Sequence, residues 1–76
     1  MLFGDALEEV RAEYNWAIDH FPKFSSPHEG LAVIREEYLE LEQEVFKQHN
    51  QRTIEALRKE ARQVAAMALR FMVDLT

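Results

Sequence analysis

Both prolines of this chain fall inside one seven-residue stretch, FPKFSSP, at positions 21 to 27. Proline lacks the backbone N–H and its ring clashes with the preceding turn, so helix interiors exclude it. The chain is therefore free to be helical on either side of that stretch and must break within it. Upstream, Leu7, Val10, Tyr14, Ala17, Ile18 and Phe21 recur at steps of three and four, the period of an amphipathic helix. Downstream, Ser26 has the chemistry of an N-cap, Pro27 suits the first helical position, and Glu29 stands where a capping box places its acid. Leu31, Ile34, Tyr38, Leu41 and Val45 continue as a heptad-like seam, KQHNQR (47 to 52) has no apolar residue and forms a turn, and Ile54, Leu57, Ala61, Val64, Ala68, Met72 and Leu75 share a third seam. The expectation is one all-α domain over 1–76, with helices at about 3–20, 27–47 and 52–75. The last two make an antiparallel hairpin, and the first covers it.

The core is the difficulty. A chain of 76 residues buries only about 60% of the surface its unfolded form exposes. It has no cysteine, so neither a disulfide nor a thiolate metal site can staple it. The stretch VAAMALRFMV, 64 to 73, is apolar nearly all round apart from Arg70, and a helix apolar on every side is buried on every side. Three helices cannot cover it, so a helical bundle completed by oligomerisation is expected, with Met67 and Phe71 at the subunit interface. A net charge of −5 argues against a nucleic acid polymer as partner. MLFGDALEEV lacks the basic start and apolar run of a signal peptide, and no stretch approaches the roughly 18 apolar residues of a membrane span. A cytoplasmic protein with no membrane partner is the expectation.

EEYLELEQE, 36 to 44, then sets a question of charge, because five of its nine residues are glutamates. A helix turns about 100° per residue, which puts Glu37 on one shoulder of the second seam and Glu40 behind it. Glu60 and Gln63 take the matching positions on the third helix. Antiparallel pairing brings like shoulders together, and a turn near residues 49 and 50 faces positions whose numbers add to about 99. The four side chains thus meet in angle and in height. Three carboxylates held together raise one another's pKa. A hard divalent cation removes the penalty, and Mg²⁺ favours carboxylate oxygens, waters and phosphates. Gln63 can lend an amide oxygen, and Glu36 and Glu44 are close enough to act as bases or further ligands. The competing reading is a solvated acidic face with Lys47, Arg58, Lys59 and Arg62 as ordinary surface partners.

Other residues carry weaker signals. His28 opens the second helix, where it is either an exposed turn histidine or a contact to a base or phosphate at the positive helix end. Trp16, Phe21 and Phe24 flank the FPKFSSP loop and are either core or a stacking surface for a nucleobase. There is no nucleophilic Ser or Cys arrangement, no Gly-rich phosphate loop and no zinc pattern.

EEYLE at 36 to 40 followed by EARQ at 60 to 63 resembles the MazG-type all-α nucleoside triphosphate pyrophosphohydrolases, whose signature is E-E-x-x-E, a variable gap, then E-x-x-D. PHEGLAVIREEYLELEQEV and EARQVAAMALRFMVDL are similar to the small MazG-like proteins of phages and mobile elements, a resemblance covering residues 26 to 75. It implies Mg²⁺-dependent hydrolysis of a nucleoside triphosphate, often a deoxynucleotide, to the monophosphate and pyrophosphate, with Mn²⁺ as an alternative ion. It further implies that Glu37, Glu40 and Glu60 are ligands, Glu36 is an additional acid, and the assembly is a homodimer or homotetramer. For that chemistry Glu36 or Glu44 would orient or deprotonate the water, while Lys47, Arg58 and Lys59 would contact phosphate oxygens. Position 63 departs from the signature, with glutamine in place of aspartate. That departure keeps open a non-catalytic helical oligomerisation or scaffold module. A regulatory, antitoxin-like partner of another protein is the third possibility.

Overall fold

The computed structural model describes residues 1–76. It contains three α-helices, α1 (Phe3–His20), α2 (Pro27–Val45) and α3 (Ile54–Leu75), with a single 3₁₀ turn at His49–Gln51 and no strand. α3 is the central element. Both α1 and α2 pack against it, and they do not pack against each other. The result is an open trough with α3 as its floor.

The helix ends follow local chemistry. Ser26 Oγ accepts from the Glu29 backbone N–H at 3.1 Å, with Pro27 in the first turn. Glu29 reaches back to Ser25 rather than to the cap itself, accepting from its N–H and its hydroxyl at 3.2 and 2.7 Å. At the other end α2 stops at Val45, whose carbonyl accepts from Arg52 at 3.0 Å. α3 begins only at Ile54, because Thr53 Oγ1 caps it by accepting from the Ala56 N–H at 3.0 Å. Both helices are thus shorter at the turn than periodicity alone suggests, since capping geometry rather than polarity decides where they end. Gly30 is buried, and a Cβ there would lie 2.7 Å from Phe71 Cδ2 and 3.1 Å from Leu75 Cδ1. The missing side chain lets α2 approach α3.

Arg70 ties α3 to the end of α1 and to the proline loop. It is 2% exposed. Its Nε donates to Asp74 at 3.2 Å, Nη1 to the Ala17 carbonyl at 3.4 Å, and Nη2 to the carbonyls of Phe21 (2.7 Å) and Pro22. Asp74 also accepts from the Phe24 N–H at 3.1 Å. The Phe24 ring lies 5.2 Å beneath the guanidinium carbon. One buried ion pair therefore satisfies the end of α1 and the proline loop together, which makes this charge tolerable in an interior.

Ala17, Phe24 and Ala66 are the buried apolar side chains, whereas Leu31, Tyr38, Phe46 and Met72 are all more than half exposed. Met67 and Phe71, expected at a subunit interface, already have neighbours inside one chain. Both are partly covered within the chain, Met67 in the trough and Phe71 against Gly30, because α2 and the end of α1 close over that shoulder of α3.

Removing one partner of a buried ion pair costs about 3–5 kcal/mol, close to the whole stability of a domain this small. Arg70→Met is expected to leave the chain largely unfolded in urea titrations followed by circular dichroism, with Arg70→Lys intermediate because it loses the fork. A wild-type midpoint in Arg70→Met would contradict this assignment.

Candidate metal centre

One turn of α2 presents Glu37 and Glu40, and the facing turn of α3 presents Glu60. One carboxylate oxygen from each lies within 4.8 Å of the others. The Gln63 amide, oriented with its nitrogen toward the acids, donates to Glu37 Oε2 at 3.0 Å and to Glu60 Oε2 at 3.2 Å. The antiparallel register thus brings together the four positions expected from spacing. Sequence alone could not reveal that the amide would bind the acids through its nitrogen.

The electrostatics show the cost of this gathering. Burial pushes the Glu37 pKa from its usual 4.5 to about 7, helped by the charges of Glu40 and Glu60, a hydrogen bond with Glu40, and the charge of Glu13. Burial also raises Glu60, with the charge of Glu40 and a hydrogen bond to it adding to the effect. Lys59 opposes the rise, and Glu44 adds to it. Glu44 itself accepts from Lys47 Nζ at 2.6 Å through Oε1, while its Oε2 is buried with no partner. Three crowded carboxylates are what a divalent cation would relieve, so the donor set fits a hard ion such as Mg²⁺ or Mn²⁺, with the orphan Glu44 oxygen near enough to act on Glu60.

Glu13 on α1 is a contributor that helical periodicity did not reveal. It pairs with Arg62 Nε at 3.4 Å, and Arg62 Nη1 also holds Glu9 at 3.0 Å. The i,i+4 spacing of Glu9 and Glu13 is the only trace of this in the sequence, since it cannot reveal which face of α1 docks on α3.

Beside the acids the trough encloses about 370 Å³. Gln63 and Met67 form its floor, Trp16 and Glu13 one wall, Val33 and Glu36 the other. Glu36 therefore stands on the trough wall, one position and about 100° round from Glu37. Trp16 is 50% exposed and stacks on His20 with ring centroids 4.1 Å apart. Phe24 lies beneath Arg70 and is buried, whereas Trp16 and Phe21 both line the trough and are about half exposed, Trp16 with one face already on His20. Lys59 lies close enough to act on Glu60, and Lys47 is paired with Glu44.

Two expected contacts sit apart. Arg58 lines a groove between α1 and α3 with Val10 and Leu57, about 200° round α3 from Glu60. His28 is exposed beside Leu31 and Phe71, nine residues before Glu37, hence about 13.5 Å along α2 and on its opposite side. No helix is long and apolar enough to cross a membrane. No protein-family model, curated protein or solved structure matches the chain.

Because folding raises the Glu37 pKa from 4.5 to about 7, the folded chain holds more protons than the unfolded chain between those values. Stability of the metal-free protein should therefore rise as pH falls through about 7, and Glu37→Gln should flatten that slope. Mg²⁺ added at neutral pH should raise the melting temperature, since it binds only the folded form. Melting curves in chelator that fall on acidification over this range, with no response to Mg²⁺, would contradict the site.

Proposed function

We propose that the protein is a Mg²⁺-dependent nucleoside triphosphate pyrophosphohydrolase of MazG-like type. It would open the bond between the α- and β-phosphates of a (deoxy)nucleoside triphosphate with water, releasing the monophosphate and pyrophosphate. The observation that carries this reading is adjacency: Gln63 lines the trough and also hydrogen-bonds two of the acids. A base and sugar seated over Met67 would thus direct their phosphates toward Glu37, Glu40 and Glu60.

Those three glutamates would hold Mg²⁺ or Mn²⁺. The ion would supply charge neutralisation for the phosphates and for the departing pyrophosphate. Glu44 is better placed than Glu36 to orient the water and take its proton, because its Oε2 is buried and unpartnered while Lys47 holds Oε1. Lys59, beside Glu60, is the cation available to a phosphate oxygen. Trp16 offers its ring to the base. The same reading has the chain assemble as a homodimer or homotetramer, supported by the exposure of Leu31, Tyr38, Phe46 and Met72.

One observation favours a second reading. The Gln63 amide already bridges Glu37 and Glu60, doing part of what a cation would do. This suits a helical oligomerisation or scaffold module that keeps the fold without full metal binding.

Purified protein incubated with Mg²⁺ and a panel of ribo- and deoxynucleoside triphosphates separates the two. The enzyme reading expects pyrophosphate and monophosphate in equal amounts. It also expects a loss of at least about a hundredfold in kcat/KM for Glu37→Gln and Glu60→Gln at unchanged helicity. No turnover with any triphosphate assigns the scaffold. Gln63→Asp should tighten Mg²⁺ binding, and weaker binding would show that the amide does not stand in an acid's place.

A further inference from the structure

Because α1 and α2 each lie against α3 and not against each other, α3 has two open flanks. One is the floor of the trough. The other lies on the far side of the helix from Gln63 and carries Ile54, Arg58, Ala61, Ala65, Leu69 and Met72, all exposed and none acidic. The neighbouring helices extend this flank. Leu7 stands about 180° round α1 from the trough residue Trp16, and Tyr38 about 200° round α2 from Glu36. Both are just over half exposed. Of the exposed large apolar side chains, only Trp16 and Phe21 line the trough. The chain exposes 5751 Å² in all, whereas a folded monomer of 9.0 kDa exposes about 4,850 Å². The excess of about 900 Å² matches the roughly 800 Å² that each partner contributes to a standard interface.

We infer that this outer flank is the contact between two copies of the chain, α3 packed antiparallel on α3 about a two-fold axis near Ala65, with both troughs facing outward. The flank fits itself. Positions equidistant from Ala65 meet in such a pair, which sets Leu69 of each copy against Ala61 of the other, large on small. Met72, 62% exposed, meets Arg58, whose stem borders a groove of about 510 Å³ between α1 and α3. Arg58 forms no ion pair within its own chain. Across the axis it reaches the last turn of the facing α3, where carbonyls lack helical partners and the helix dipole is negative. With no acid on the flank of α3, two chains of charge −5 meet along that helix without like charges in contact. The inference adds a face to the homo-oligomer of the proposed function and needs no catalysis. Since the flank looks away from the trough, each copy holds its own Glu37, Glu40 and Glu60 without help from its partner.

Sedimentation velocity and circular dichroism on the full chain test this. The wild type is expected as a dimer at micromolar concentration. Ala65→Glu, at a position exposed in the single chain, should raise the dimer Kd at least about a hundredfold at unchanged helicity, and Met72→Glu should do the same. Glu36→Lys, on the trough wall, should leave the dimer intact. A monomeric wild type would overturn the inference, whether or not it binds lipid vesicles through this face. So would a dimer that survives both folded flank variants, or one that Glu36→Lys dissociates. Mn²⁺ binding keeps the two proposals apart. The Ala65→Glu monomer should bind the ion as the wild type does, and loss of binding there alone would show that the partner completes the site, against the outward troughs. A dimer that never binds Mn²⁺ upholds the face and rejects the metal reading.

Discussion

A single guanidinium holds the architecture in place. Arg70 sits on the central helix and takes up the carbonyls of Ala17, Phe21 and Pro22, while its partner Asp74 takes up the N–H of Phe24. The Ala17 carbonyl also accepts from the Phe21 N–H, but the Phe21 and Pro22 carbonyls and the Phe24 N–H lie past the helix end, where no helical partner serves them. Satisfying them against α3 swings α1 alongside it. Since α1 and α2 do not pack on each other, the width of the trough is set by how α1 is held on α3, by Arg70 at its end and by the Arg62 pairs with Glu9 and Glu13 farther along.

The acids impose the opposite constraint. Where Arg70 has partners for four of its five N–H bonds, Glu37, Glu40 and Glu60 are crowded, and Glu44 keeps an oxygen buried without a donor. The raised pKa of Glu37 expresses that frustration. Gln63 relieves part of it with two neutral N–H bonds, which is the least a metal-free site needs. A local conflict of this kind inside an otherwise consistent fold is the usual mark of a site that keeps its strain for a ligand.

Much of this was legible in the sequence, for reasons that can be named. Three helices without strands follow from apolar period and the two prolines, and the start of α2 from SPHE. The meeting of Glu37, Glu40, Glu60 and Gln63 follows from angle plus antiparallel register, both of which are local properties of a short hairpin. What stayed hidden depends on how α1 docks. Periodicity finds the apolar face of α1 but not its azimuth on α3, so Glu13 went unassigned, Arg70 looked like an interruption, and the cover that Met67 and Phe71 receive within the chain did not show. The start of α3 at Ile54 rather than about 52 was hidden because Thr53, which caps the helix, was counted inside it. Glu36 and Glu37 are neighbours in sequence, yet about 100° of helix separates the trough wall from the acid centre.

On the proposed reading, carboxylates from α2 and α3 share one divalent cation. Titrating Mn²⁺ into chelator-treated protein, with the free ion followed by electron paramagnetic resonance, tests it most directly. The expected result is a saturable loss of the free-ion signal that disappears in Glu60→Gln while the helical content stays the same. A signal untouched by the protein, or binding that Glu60→Gln leaves intact, would contradict it.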